Sequence, residues 1–123
     1  MELLDKYIEK VKSCEFVDRQ IFPKKIGVYL IFEKDKIIYI GESKNLYERI
    51  NLRHISGGNT YKNSAFRRSL CKRDNKKPGI ELREWILSNC KFKYIEVENK
   101  DLCSLIEKTL IYYFRKQYKL LNK

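Results

Sequence analysis

The chain has 123 residues with 43% hydrophobic and 13% aromatic content, enough to build one core and too apolar for a disordered basic tail. Its 27 Lys and Arg against 16 Asp and Glu leave a net charge of +11, which makes a polyanion the expected partner and nucleic acid the commonest one for a folded domain. No run of 18 apolar residues is present, and residues 1–15 lack the continuous apolar stretch of a secretory signal, so a soluble, cytoplasmic protein without membrane attachment is expected.

Leu3, Leu4, Tyr7, Ile8 and Val11 recur at helical spacing among charged residues, predicting an opening amphipathic helix that packs onto the domain as an added element. After Pro23 the run Ile26–Phe32 is β-branched and aromatic, the pattern of a strand buried on both faces. Glu33–Lys36 separates it from Ile37–Ile40, the second arm of a β-hairpin that ends at Gly41. Asn45 followed by Glu48 has the shape of a capping box, opening a helix with Leu46 and Ile50 on one face that stops near Ser56-Gly57-Gly58. A second helix is predicted from Ser64 to about Cys71 and a third over Glu81–Ser88. Lys91–Glu98 alternates as a third strand, with an apolar parity that flips between Tyr94 and Ile95 and predicts a bulge or twist there. Residues 101–117 form the longest predicted helix.

Lys62, Arg67, Arg68, Lys72, Arg73, Lys76 and Lys77 stand against one acid, Asp74, between residues 62 and 77. Such a run is either a solvated face or, with Lys44 and Arg53, a surface that tracks a nucleic-acid backbone. The cysteines Cys14, Cys71, Cys90 and Cys103 include no Cys-x-x-Cys pair and read as reduced, small apolar residues rather than zinc ligands. Glu107 breaks the pattern of the last helix. With Cys103, Leu110, Ile111 and Phe114 around it on one face, its carboxylate would be partly desolvated and needs a structural ion pair, a metal or a catalytic role.

The pieces Gly27-Val28-Tyr29 and Tyr39-Ile40-Gly41, followed by Asn45-Leu46 and Arg49, together resemble the signature of the GIY-YIG nuclease superfamily over residues 26–122. The resemblance implies a metal-binding role for Glu107, an essential role for Arg49, and a match of Asn122 to the family's terminal asparagine. Val28 replaces the middle isoleucine, and Glu42 sets a carboxylate directly after the glycine, where it is expected to point outward or cap the following helix. His54 lies five residues past Arg49, off the same face of an α-helix, and is either a proton carrier or a hydrogen-bonded structural histidine.

Phosphodiester hydrolysis needs an activated water, a group that neutralises the pentacovalent charge and help for the departing 3′ oxygen. Glu107 suits one hard divalent cation, Mg²⁺ or Mn²⁺, and the fixed fork of Arg49 suits a phosphate. The resemblance favours Tyr29 as general base with Tyr39 orienting water or phosphate. An odd hairpin connection would set the two tyrosines on one face, whereas an even one without a bulge would separate them. Asn122 bonds the phosphate, buttresses the site or is a helix-end residue of the kind common near a C terminus.

The expected fold class is α+β, a small three-stranded, mostly antiparallel sheet flanked by helices, with residues 1–24 an N-terminal helix and connection and 25–123 the GIY-YIG-like domain. The expected function is a divalent-metal-dependent DNA endonuclease, with repair, restriction or mobile-element roles all open. The alternative is a nucleic-acid-binding module on the same scaffold that does not cut. A second copy or a partner protein could supply specificity.

Overall fold

A computed structural model describes residues 2–122. The order of elements is helix α1 (Glu2–Ser13), strands β1 (Gly27–Glu33) and β2 (Lys36–Ser43), a π-helix (Glu48–His54), helices α2 (Ala65–Asp74) and α3 (Ile80–Asn89), strand β3 (Cys90–Glu96) and helix α4 (Lys100–Phe114). The strands form one sheet in the order β2-β1-β3, and both pairings are antiparallel. The α+β architecture read from the sequence is the one observed.

The central position of β1 explains its uniform composition, because both faces are covered. Val28, Leu30 and Phe32 pack with Tyr7, Ile8 and Val11 of α1 and with Cys103, Ile106, Leu110 and Phe114 of α4. Tyr29 and Ile31 point the other way, into a layer made by Leu46, Ile50, Phe66, Leu70, Leu82 and Ile86. Helix α1 is thus built into the core that it shares with α4. The cysteines are free, three buried and Cys14 half-buried, as small apolar residues would be.

The hairpin turns on Lys34 and Asp35, with Lys34 in the left-handed region at φ 58°. That even connection would place the two signature tyrosines on opposite faces. The register instead shifts between Ile31 and Phe32: Ile31 pairs with Tyr39 while Phe32 pairs with Ile37, leaving Ile38 as an extra residue. Ile38 and Tyr39 consequently lie on one face and Ile37 and Ile40 on the other. The bulge brings Tyr39 beside Tyr29, with the rings stacked at 6.3 Å between centroids.

The bulge expected in β3 is absent. Its pairing with β1 runs unbroken from Gly27↔Glu96 to Glu33↔Cys90, and the flipped parity arises because this strand too is covered on both sides: Phe92 and Tyr94 face α2 and α3, and Ile95 faces α1 and α4. Lys93 occupies the second face by stretching its amine to the carbonyl of Val11, 2.9 Å away, over the rings of Phe16 and Phe32.

The segment after β2 differs from the predicted α-helix in its hydrogen bonding. Asn45 caps it, accepting the Glu48 amide at 3.0 Å, but its own amide is held by Ser43 Oγ, so only half of the capping box forms. The Ile55 amide then bonds the carbonyl of Ile50, five residues back.

Gly41 pairs with Tyr29 across the hairpin, and a Cβ built there would lie 2.2 Å from Tyr29 Oη. Because the Tyr29 ring is 1% exposed and has nowhere to move, Gly41→Ala is expected to destabilise the protein by about 1–3 kcal/mol, the range for overpacking a filled core, as read by urea unfolding. An unchanged unfolding midpoint would show that the ring is free to yield.

Candidate active site

The bulged hairpin, the π-helix and the middle of α4 bring Tyr29, Tyr39, Arg49, His54 and Glu107 to one end of the sheet. Tyr29 and Tyr39 stack on the face covered by the π-helix and α2. His54 sits against both, with ring centroids 5.3 Å from Tyr29 and 5.9 Å from Tyr39, and Phe66 closes the far side at 5.4 Å. The i→i+5 bonding of the π-helix carries His54 to this position, so the five-residue spacing from Arg49 that would misplace it on an α-helix fits the helix that forms.

His54 is 1% exposed and bridges two hydroxyls: Nε2 lies 2.6 Å from Tyr29 Oη and Nδ1 lies 2.5 Å from Ser64 Oγ. Burial, reinforced by Arg49, Arg53 and Arg67, depresses its pKa to about 3, so the imidazole is neutral at any working pH. Burial also lifts both phenols above the usual tyrosine range, Tyr29 most strongly, while Arg49 pulls each of them down.

Arg49 is the cation that these groups share. Its Nη1 donates to the carbonyl of Glu42 at 3.3 Å, and its buried Nε has no partner among the described residues. It lines a cavity of about 540 Å³ together with Glu42, Asn45, Glu48, Arg53 and Lys100.

Glu107 is half-buried and, among the described residues, makes no salt bridge, so the ion pair open from sequence does not form. Burial raises its pKa to about 7, the negative charge of Glu42 adds to this, and Lys108, the Glu42 backbone amide and Arg49 oppose it. Glu42 does not point outward, nor does it cap the π-helix. Its carboxylate turns to α4 and accepts from Ser104 Oγ at 2.8 Å, its carbonyl accepts from Arg49, and its backbone amide lies near enough to Glu107 to oppose the rise in that residue's pKa. Two carboxylates with a hydroxyl beside them are an all-oxygen donor set with excess negative charge, which fits a hard divalent cation held by Glu107.

Asn122 is committed to β2: its amide nitrogen donates to the Ile40 carbonyl at 2.7 Å and its oxygen accepts the Ile40 amide at 2.9 Å. Of the three readings open from sequence, a phosphate ligand, a buttress or a helix-end residue, this geometry is that of a buttress.

The basic residues divide. Lys44, Lys62, Arg68, Lys72 and Lys77 are exposed and make no salt bridge among the described residues. Arg68 lies near enough to Tyr39 to lower its pKa. Arg67 does not belong to this face: it is 2% exposed and donates inward to the Gly58 carbonyl at 2.8 Å, because its place in the first turn of α2 points it under the 56–64 loop. Arg73 is held by Glu33 at 2.9 Å and Asp74 at 2.7 Å, Arg53 pairs with Glu48 at 3.1 Å, and Lys76 lies over Trp85 at 4.4 Å.

Sequence reasoning missed Ser64 as a site residue. It marks the start of α2, accepting the Arg67 amide at 3.0 Å, and that capping pattern is visible in the sequence. Its second bond, to His54, depends on the path of the intervening loop, which no spacing reveals. The peptide of Glu42 was equally invisible, since a backbone contact leaves no mark on side-chain type.

The chain matches a family model described as the GIY-YIG catalytic domain over residues 6–123. It is similar to UvrABC system protein C of Mycoplasma mycoides and of Mycoplasma capricolum, at 30% identity over 102 residues in each case. These matches cover 82% of this chain but only 14% of the relatives' length. Among solved structures it is similar to the GIY-YIG N-terminal endonuclease domain of UvrC from Thermotoga maritima bound to its catalytic divalent cation, magnesium, with 23% identity, 79% of this chain and 85% of that one covered, and a TM-score of 0.49. Among the described residues no helix is long and apolar enough to cross a membrane.

The depressed pKa of His54 makes a prediction about stability. Between about pH 3 and 6.5 the unfolded chain binds a proton that the folded chain refuses, so stability falls as pH drops through this window, by about 1.4 kcal/mol per unit from this one group. Urea unfolding of wild type is expected to lose stability more steeply than His54→Asn between pH 6.5 and about 4, with parallel curves above pH 7. Equal slopes below pH 6.5 would mean that His54 is protonated in the folded state.

Proposed function

The chain belongs to the GIY-YIG family of nuclease domains, and on that premise we propose that it is a divalent-metal-dependent DNA endonuclease acting in the cytoplasm. The observation that carries the proposal is the meeting of two stacked tyrosines, a partly unpartnered arginine and an unpaired glutamate around one point, drawn from β1, β2, the π-helix and α4. A structural role alone does not account for a glutamate that finds no cation in a chain of net charge +11.

Arg49 binds the scissile phosphate through the terminal nitrogens of its fixed fork, of which Nη1 makes only a long 3.3 Å bond to the Glu42 carbonyl, while Nε stays buried. Glu107 would hold the cation, which when bound neutralises charge developing on the phosphate oxygens. Tyr29, starting as the phenolate, takes the proton of the attacking water as the water oxygen bonds to phosphorus. The bond to the 3′ oxygen breaks, and that oxygen leaves with the electron pair and is protonated from solvent. Burial and Tyr39 hold the Tyr29 phenol well above the usual range even with Arg49 beside it, so the positive charge of a cation held by Glu107 would be needed, in addition to Arg49, for the phenolate to form. Tyr39, less buried than Tyr29, orients the water or the phosphate. Asn122 holds the Ile40 peptide between Tyr39 and Gly41 and so keeps β2 in register at the site. The exposed cations Lys44, Lys62, Arg68, Lys72 and Lys77 bind the DNA backbone without reading sequence. A second copy or a partner would add specificity.

Cleavage of labelled duplex, flap, four-way-junction and single-stranded DNA with Mg²⁺ or Mn²⁺ tests this reading. Wild type is expected to cut at least one of them, EDTA to stop it, and Glu107→Gln and Arg49→Ala to lower kcat by at least about 10²-fold while DNA binding persists. Tight binding of every substrate with no cutting would replace the endonuclease with a binding module.

The surface assignment has its own measurement. Arg68→Ala with Lys72→Ala is expected to reduce the slope of log K against log salt by about 1.8, the share of two phosphate contacts, whereas Arg73→Ala, whose charge is already spent on Glu33 and Asp74, changes it little. Equal effects of the two substitutions would place the DNA elsewhere.

A further inference from the structure

From the hydrogen bonds around Ser64 we infer that this residue is a positioning residue: it fixes His54 as the Nε2–H tautomer and so sets the direction of a buried chain running from Ser64 through His54 to Tyr29. Ser64 Oγ has two partners, the Arg67 amide at 3.0 Å and His54 Nδ1 at 2.5 Å. An amide can only donate, so the Ser64 hydroxyl proton has a single acceptor, and that is Nδ1. Ser64 is 2% exposed, so solvent does not offer it another. A neutral imidazole carries one proton, which must then be on Nε2, and Nε2 donates to Tyr29 Oη at 2.6 Å.

The opposite tautomer would leave the Ser64 hydroxyl proton buried and unbonded, at the cost that an orphaned donor carries. The tautomer assigned here leaves only the Tyr29 proton to be placed. Tyr29 is as buried as Ser64, but its hydroxyl has the neighbour that Ser64 lacks: the hydroxyl of the stacked, less buried Tyr39, close enough for Tyr29 to lower its pKa by hydrogen bonding and so able to take the Tyr29 proton in a hydrogen bond.

The consequence for chemistry rests on the endonuclease reading. With Nε2–H donating, the Tyr29 oxygen is an acceptor from the protein side, and negative charge on the tyrosine pair gains a fixed donor already in place. Ser64 touches neither substrate nor metal. Its effect passes through the imidazole alone.

The chain contains one histidine, so its ring nitrogens can be read without assignment by ¹⁵N NMR of ¹⁵N-histidine-labelled protein. The expected spectrum at pH 7 is that of the Nε2–H tautomer, with the proton coupled to Nε2. A proton on Nδ1, or an imidazolium spectrum, would overturn the inference. Ser64→Gly deletes the hydroxyl while keeping a residue tolerated at a helix start. It is expected to shift the tautomer toward Nδ1–H and to lower kcat about 10- to 100-fold with KM for DNA unchanged, the size of effect typical of a partner acting through another group. Ser64→Thr, which restores the hydroxyl, is expected to recover both.

If Ser64→Gly lowers activity and melting temperature but leaves the Nε2–H spectrum intact, Ser64 is a helix cap only and the inference fails. The spectrum is independent of turnover. A wild type that shows the Nε2–H tautomer and cuts no DNA sinks the endonuclease and spares the assignment, and one that cuts DNA with Nδ1–H does the reverse.

Discussion

The site depends on one extra residue in a hairpin. Strand side chains alternate, so a two-residue turn between β1 and β2 fixes which residues share a face, and without Ile38 bulged out Tyr39 would lie with α1 and α4, on the wrong side of the sheet from Tyr29. Other features follow from the face that the bulge selects. Gly41 must lack a side chain because Tyr29 Oη lies where its Cβ would be. The helix-side layer must then supply groups that meet a buried phenolic oxygen and its half-buried neighbour, and the π-helix does so with His54, bonded to Tyr29, and with Arg49, whose charge acts on both. An α-helix over the same residues would not carry both to that point.

Charge is arranged by what burial permits. His54 is placed where it stays neutral, while Glu107 is placed where its ionised form is unfavourable and no lysine or arginine among the described residues closes on it. The +11 chain could easily have supplied a counter-ion, and elsewhere it does: Arg73 takes two carboxylates. Arg49 is treated alike: among the described residues it bonds the Glu42 carbonyl and forms no salt bridge, and its Nε has no partner. Groups of both signs with unused capacity beside Glu42 are the pairing that a metal-assisted phosphate reaction requires, and it is on this that the proposed function rests.

Much of this was legible beforehand, and what was hidden is specific. Hydrophobic period located the four α-helices and three strands, since one- and two-faced burial leaves a pattern in composition. Glu107 stood out because a carboxylate on an apolar stripe conflicts with its surroundings. The bulge was assigned to β3, where parity flips, when the flip there came from two covered faces and the true bulge sat in Ile37–Ile40, a run too uniformly apolar to show a change of phase. His54 looked misplaced because an α-helical period was applied to a segment that forms i→i+5 bonds. Arg67 counted as a surface cation because a charge run does not reveal which member turns inward.

Strand β2 carries Tyr39, Gly41 and Glu42, yet it lies at the edge of the sheet, where one row of peptide groups has no neighbouring strand. The C-terminal segment solves this with few residues. The Leu121 amide donates to the Ile38 carbonyl at 2.6 Å, and the Asn122 side chain, whose amide has the donor and acceptor of a peptide, takes both polar groups of Ile40. The two anchored residues are the bulge and the one between the signature tyrosine and glycine. An edge strand with a bulge is the part of a sheet most prone to slip, and a slip of one residue would send Tyr39 to the other face. Residues more than 80 positions away in sequence thus hold the register on which the site rests.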